Sequence, residues 1–364
     1  MDEPTGQDPA QNPETPPAPP VTGVPTSMAA TDRPPQPEGA RELHAVTQEV
    51  KRVIVGQDRV VERLLVGLLA RGHLLLEGVP GLAKTLAMET LARAVGGTFA
   101  RIQFTPDLLP ADITGTRVWR QSAEEFDVEL GPVFVNFLLA DEINRAPAKV
   151  QSALLEVMAE HQVSIGGETH EVPEPFLVMA TQNPIESEGV YPLPEAQRDR
   201  FLMKILIDYP SPAEEAEIVR RHGVGAPEAG VTLDPDQLLD LQRAADAIAV
   251  DPGTLQYAVD VVQATRDPAG HGLPDLVDYL SYGASPRATL GLIAAGKALA
   301  LIRQRTFVTP QDVFDVAPDV LRHRLVLSYE ALAQGVEVDH VLARLLSTVP
   351  APAVAGANAA AAGF

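Results

Sequence analysis

Gly78-Val79-Pro80-Gly81-Leu82-Ala83-Lys84-Thr85 is the stretch that decides how this chain folds. A glycine loop running into Lys-Thr at a helix start aims backbone N–H groups, and the positive end of the helix, at a polyphosphate. In such a loop Lys84 supplies a point charge to the β- and γ-phosphates, and the Thr85 hydroxyl sits on Mg²⁺. The flanks carry the matching periodicities. His73-Leu74-Leu75-Leu76 is a short apolar run that predicts a buried strand entering the loop. Residues 86–95 are rich in helix formers and predict the helix leaving it. One position departs from the usual loop, because Ala83 stands where a last glycine is customary. The expectation is a right-handed helical φ at residue 83, where a methyl group costs little. The competing reading is a surface Gly/Pro turn carrying a chance Lys-Thr.

Outward from the loop, apolar runs at 74–76, 100–103, 135–140, 177–180 and 204–207 alternate with amphipathic stretches such as 148–159. That alternation predicts an α/β fold with a parallel sheet covered by helices on its faces. After Tyr209-Pro210 the pattern turns helical. Ser211-Pro212-Ala213-Glu214 is a capping box with Pro in the first turn, and Asp234-Pro235, Ser285-Pro286 and Thr309-Pro310 mark further helix starts. The predicted organisation is a Pro-rich arm over 1–40 and an α/β nucleotide-binding core over 41–209. An all-α domain over 210–350, about 140 residues and an ordinary domain size, and an Ala/Gly-rich tail over 351–364 complete it. The arm has too few large apolar residues to offset its own ordering entropy, and is expected to be disordered.

Composition narrows the function classes. The chain has 364 residues, of which 45% are hydrophobic, enough for two cores. No apolar run reaches the roughly 18 residues of a membrane span, and no basic start precedes an apolar leader. The absence of Cys removes disulfides, thiolate zinc sites and cysteine nucleophiles together, and fits a cytoplasmic protein. A net charge of −21 argues against a nucleic-acid partner, which would demand a basic track.

A second element of a phosphate site follows the run Val133-Phe-Val-Asn-Phe-Leu-Leu-Ala140, which ends in Asp141-Glu142. A buried strand delivering paired carboxylates at its C-terminal end is how open α/β sheets build sites. Asp141 would hold the Mg²⁺ shell, and Glu142 would polarise the attacking water. Alone, Asp-Glu could be a capped strand end; behind a P-loop it points to nucleotide hydrolysis.

Gly78–Thr85, Asp141-Glu-Ile-Asn-Arg-Ala-Pro147, Ala180-Thr-Gln-Asn-Pro184 and Glu195-Ala-Gln-Arg-Asp-Arg-Phe201 together resemble the MoxR family of AAA+ ATPases, over residues 41–349. Ala83 is itself typical of that family. The resemblance implies a Rossmann-like P-loop core with an all-α lid and ATP bound between them. It also implies a homo-oligomeric ring, often a hexamer, and chaperone-like action on partners bearing a von Willebrand A domain.

By the same resemblance, Gly78, Val79, Pro80, Gly81, Leu82, Ala83, Lys84 and Thr85 bind ATP, with Val55-Gly56-Gln57 packed on the adenine. Thr85 and Asp141 serve the Mg²⁺ ion and Glu142 serves the water. Asn183 matches the sensor-1 position, and Arg200 matches the arginine finger that reaches a neighbouring subunit's ATP. Arg198, where the family more often has an apolar residue, leaves two candidates for that finger. Arg287 matches sensor 2 and would report loss of the γ-phosphate through the lid, while Gln103 stands where related ATPases restrain the catalytic glutamate.

Residues 114–131 interrupt the alternation with a hairpin-like insert that resembles the helix-2 insert of the clade containing MoxR and magnesium chelatase. It holds the single tryptophan, Trp119, read either as a partner anchor or as packing for the hairpin base. A second hairpin turns at Gly166-Gly167, with His161 and His170 expected to be exposed. Two other functions share these motifs: a nucleotide-gated binding module whose slow hydrolysis acts as a timer, and a magnesium-chelatase-like motor subunit.

Overall fold

The computed structural model of the chain describes residues 37–352, apart from 80, 123, 185–188 and 224–226. Most of the predicted arm and tail therefore lies outside the described residues. Helix α1 (Ala40–Val53) already begins at the end of the predicted arm.

Five strands form one parallel sheet: β1 (Leu74–Glu77), β2 (Phe99–Gln103), β3 (Phe137–Asp141), β4 (Leu177–Gln182) and β5 (Met203–Leu206). Their spatial order is β2-β3-β4-β1-β5. Near-continuous apolar runs are what a sheet buried on both faces requires. Leu74 and Leu76 enter one core cluster and Leu75 the other, and Leu138 and Leu139 divide in the same way. β3 starts two residues later than its apolar run suggests, because Asn136 is diverted. Its carboxamide oxygen accepts from Thr98 N at 3.0 Å and Thr98 Oγ1 at 2.9 Å, and its nitrogen donates to the Pro175 carbonyl.

The helices include α2 (Asp58–Leu69), α3 (Lys84–Ala94), α4 (Ala148–Glu160), α5 (Pro212–His222), α6 (Pro286–Ile302) and α7 (Pro310–Leu321), of which α2, α3 and α7 pack directly on the strands. Ser211, Ser285 and Thr309 cap α5, α6 and α7, each with Pro in the first turn. Such a cap stabilises a helix by about 1 kcal/mol. Among the described residues the C-terminal half is mainly helical, with a short antiparallel pair, Leu280–Tyr282 with Val326–Leu327, and an isolated bridge between Ala249 and Phe307.

α6 packs on α2 and α7 on β5. Fully buried Asp319 ties them down. It accepts from Arg63 and Arg59 of α2, at 2.7 and 2.8 Å, and from Arg322 at 3.0 Å. Arg322 in turn donates to the Lys204 carbonyl on β5. Removing one partner of a buried ion pair costs on the order of 3–5 kcal/mol, so this carboxylate fixes the C-terminal helices to the sheet edge.

The two predicted hairpins are present, as Gly115–Arg120 with Glu125–Leu130 and Gln162–Ile165 with Glu168–Glu171. Trp119 does not pack the base of its hairpin. It stands opposite Phe126 near the turn, 51% exposed, with the rings edge-to-face at 5.0 Å. His161 and His170 are part-buried rather than exposed, and the His161 ring lies against Phe176 and His73. His73 is a core residue whose Nδ1 accepts from Val178 N while Nε2 bonds the Met158 carbonyl. Burial pushes its pKa down to about 4, so the ring is neutral at pH 7. Among the described residues no helix is long and apolar enough to cross a membrane.

Candidate functional site

The phosphate loop leaves the C-terminal end of β1 and turns directly into α3. Gly78 lies so close to the neighbouring strand that a Cβ there would meet the Ile207 carbonyl oxygen at 2.7 Å. Gly81 has φ +86° with open space where a side chain would stand, a conformation favouring glycine. Val79 packs against the core and Leu82 is buried, anchoring the loop on its inner side. Pro80 falls outside the described residues.

Ala83 corrects the expectation for that position. Its φ of 56° and ψ of 24° are left-handed, not right-handed helical. As the N-cap of α3 it must reverse the chain into the helix, and no side chain caps the N–H groups that follow. Those N–H groups are left for a ligand. An L-residue pays about 1–2 kcal/mol in this conformation. Ala83→Gly is therefore expected to raise the melting temperature, or at least not lower it. A drop of several degrees would show that residue 83 is not strained.

Lys84 donates from Nζ to the Gly78 carbonyl. Burial lowers its pKa, and the opposing pull of Asp141, Glu142 and Glu77 favours the charged form. β3 delivers Asp141 and Glu142 to the same place, with Glu142 itself left-handed at φ 56°. Asn183, just after β4, is buried beside them. Gly81–Leu86, Arg101, Gln103, Asp141, Glu142, Thr181 and Asn183 enclose a cleft of about 470 Å³.

The cleft's polar lining is tightly bonded. Arg101 reaches Asp141 Oδ2 through Nη2 at 2.6 Å and Nε at 3.1 Å, while Thr181 Oγ1 donates to Oδ1 at 2.5 Å. Arg101 Nη2 also donates to Gln103 Oε1, and Gln103 Nε2 donates to Glu142 Oε2 at 2.8 Å. Arg145 pairs with the same Glu142 oxygen at 3.1 Å. Arg101 had no place in the sequence reading, and Thr181 and Arg145 stood in its motifs without a role of their own. The signal for Arg101 was available, since residues two apart at a strand end share a face. Thr181 looks like any β-branched strand residue.

A second, mainly apolar pocket of about 150 Å³ adjoins the loop, lined by Val53, Ile54, Val55, Gln57, Leu82, Leu86, Pro210 and Ile218 among others. Its walls suit a flat heteroaromatic ring. Gly56 has φ +66°, and a Cβ there would run into the Glu214 side chain. Leu86, Pro210 and Ile218 are contributions that only the tertiary structure brings in.

Arg200 and Arg287 are not part of this cleft. Both lie before or beside the start of β5, whereas the loop abuts Ile207 just past the strand's other end, so the four residues of β5, about 13 Å, stand between them. Arg200 is exposed and donates to the Leu155 carbonyl on α4. Arg198 is half-buried, 3.6 Å from Glu195. Asp199 organises the group, accepting from Arg324 Nε and Ser285 Oγ, each at 2.8 Å, with the exposed Arg287 guanidinium 3.9 Å away.

The donors in the cleft fit a magnesium nucleotide. Asp141 and Thr85 offer hard oxygen ligands beside an ammonium and an uncapped helix start. Among the described residues no group of three or more His, Asp or Glu side chains converges on a metal position. A cation here would need phosphate oxygens to complete its shell, as Mg²⁺ commonly does.

Comparison with known proteins shows what the chain resembles. Residues 73–203 match the ATPase family associated with various cellular activities (AAA), and residues 277–345 match the AAA lid domain. The chain is 63% identical over 318 residues to the chaperone MoxR1 of Mycobacterium tuberculosis, covering 86% of this chain and 84% of that protein. It is 34% identical over 329 residues to the protein MoxR of Methylorubrum extorquens, covering 84% and 94%. A crystal structure of a candidate ATPase from Cytophaga hutchinsonii superposes with a TM-score of 0.82 at 45% identity, covering 86% and 96%.

Proposed function

Because this chain belongs to the MoxR family of AAA+ ATPases, we propose that it hydrolyses Mg²⁺-bound ATP in the Lys84–Glu142 cleft and uses the cycle to remodel or activate partner proteins. One observation carries the reading: four segments far apart in sequence converge there. They bring a cationic loop, two carboxylates and a buried carboxamide around one phosphate-sized space with a ring-sized apolar pocket beside it.

In this reading Lys84 and the first N–H groups of α3 hold the β- and γ-phosphates. Thr85 and Asp141 hold Mg²⁺, which supplies charge neutralisation of the phosphates. Glu142 takes up the proton of the attacking water and Asn183 orients that water. Val55 and Gln57, with Gly56 between them in the chain, line the adenine pocket. Catalysis is positioning and charge stabilisation, without a covalent intermediate.

Arg200 and Arg287 are assigned to a neighbouring subunit's nucleotide. Neither side chain lines its own cleft, and both stand at the opposite end of β5 from the loop. Both are exposed on the same side, which supports a homo-oligomeric ring, a hexamer by family resemblance. Arg287 thus reads a nucleotide across the interface rather than in its own chain. The greater exposure of Arg200 favours it over Arg198 as the finger. The reading includes a cytoplasmic location, where ATP and Mg²⁺ are supplied, and partners with a von Willebrand A domain. The hold of Gln103 and Arg145 on Glu142 favours slow basal turnover, so that a partner sets the rate.

Calorimetry with ATP and Mg²⁺ on the folded chain tests the premise, with phosphate release measured alongside. Saturable 1:1 uptake and slow release of phosphate are expected. Absence of nucleotide binding would end the ATPase reading.

A further inference from the structure

We propose that Arg101 is a cation-competing latch on the cleft. Its guanidinium holds the metal-binding carboxylate of Asp141 and gives it up when a divalent ion arrives with the nucleotide. The inference rests on the ATPase reading and deepens it.

Arg101 and Gln103 project from one face of the end of β2, and both line the cleft with Lys84 and Thr85. Two donors of Arg101 converge on Asp141 Oδ2 while Thr181 Oγ1 takes Oδ1, so both carboxylate oxygens are engaged. A divalent ion and a guanidinium both seek that carboxylate, and with Lys84 beside them their charges repel at close range. Asp141 is only 17% exposed, so the loser cannot simply be screened by water. Arg101 itself is 48% exposed and free to swing outward or onto a phosphate oxygen.

The latch extends further. The nitrogen of Arg101 that grips Asp141 also donates to Gln103 Oε1, and Gln103 Nε2 holds Glu142 Oε2. The Glu142 backbone N–H donates to Thr181 Oγ1, the same hydroxyl that bonds Asp141. Departure of Arg101 from Asp141 therefore loosens Gln103, one of the two side chains that hold Glu142, and leaves Arg145 as the other. Arg101 acts as a positioning residue that ties metal arrival to release of the water-activating carboxylate.

The test uses the full chain, a fluorescent ATP analogue, and Mg²⁺ or EDTA. Arg101→Met should bind the analogue more weakly in EDTA, because Asp141 is left unneutralised next to the phosphates. It should need less Mg²⁺ for half-maximal tightening, by about two- to fivefold, the range an exposed ion pair supports. The ratio of the dissociation constant in EDTA to that in Mg²⁺ therefore rises in the variant, and Arg101→Lys should restore much of the native ratio. An equal melting temperature for native chain and variant shows that the fold is kept. If the native chain binds nucleotide but the variant's ratio is unchanged or falls, the latch is wrong and the ATPase reading stands. If the native chain binds nucleotide under neither condition, both fall together.

Discussion

Glu142→Gln is expected to keep ATP binding within about threefold of the native chain and to lower turnover by roughly 10²–10⁴, the usual contribution of a positioned general base. The substitution keeps the shape of the side chain and an oxygen that can still accept from Gln103 Nε2, so the cleft should not rearrange. What it removes is the basicity that takes the proton from water and the ion pair to Arg145. Lys84 and the start of α3, the proposed phosphate holders, are untouched. Calorimetry reports the binding and single-turnover phosphate release the chemistry. Turnover at the native rate in this variant would remove Glu142 from its role. Loss of both binding and turnover would mean that the carboxylate is structural.

Arg200→Ala is the second large effect. An arginine finger contributes on the order of 10³–10⁵ to phosphoryl transfer, so a fall of at least about 10³ is expected, again with nucleotide binding largely kept. Among the described residues the native side chain bonds only the Leu155 carbonyl, a part-buried contact whose loss should cost little stability. Mixing decides the geometry. Arg200→Ala subunits have an intact Glu142, and Glu142→Gln subunits have an intact Arg200. If Arg200 acts across an interface, mixed assemblies contain some complete sites and recover part of the activity. If Arg200 acted within its own chain, no mixture would complete a site. Equal loss from Arg198→Ala with no effect of Arg200→Ala would transfer the role to the half-buried neighbour.

The two variants probe opposite ends of one sheet. Glu142 sits at the C-terminal end of β3, and Arg200 precedes the N-terminal end of β5. Asp199, between the two candidate fingers, ties this end to the C-terminal helices through Ser285 and Arg324. A shift of those helices is therefore felt directly where Arg200 and Arg287 are presented. In the proposed ring, that arrangement would pass a change in one subunit to the next.

Much of this was legible in the linear chain. The five sheet strands were visible because a parallel sheet buried on both faces needs apolar runs, and the capped helix starts because Ser or Thr followed by Pro satisfies orphan N–H groups locally. The loop, the acidic pair and Asn183 carry short signatures that the proposed phosphate chemistry would require. Other features were not visible. The left-handed turn at Ala83 is imposed by the geometry of chain reversal, against the preference of its side chain. Asn136 leaves its strand for Thr98, 38 residues away in sequence, and so shortens β3. Trp119 meets Phe126 near the hairpin turn because of a register that composition does not encode.

By itself, then, the order of residues determined the class of fold, the phosphate loop and the acidic strand end, since each depends on neighbours within a few positions. Only the tertiary structure decided that Arg101 grips Asp141, that Leu86, Pro210 and Ile218 complete an apolar pocket, and that Arg287 stands with Arg200 away from its own cleft. Those relations join residues separated by tens to hundreds of positions. Charge and hydrogen bonding at a few ångströms act only between groups that folding has already brought together.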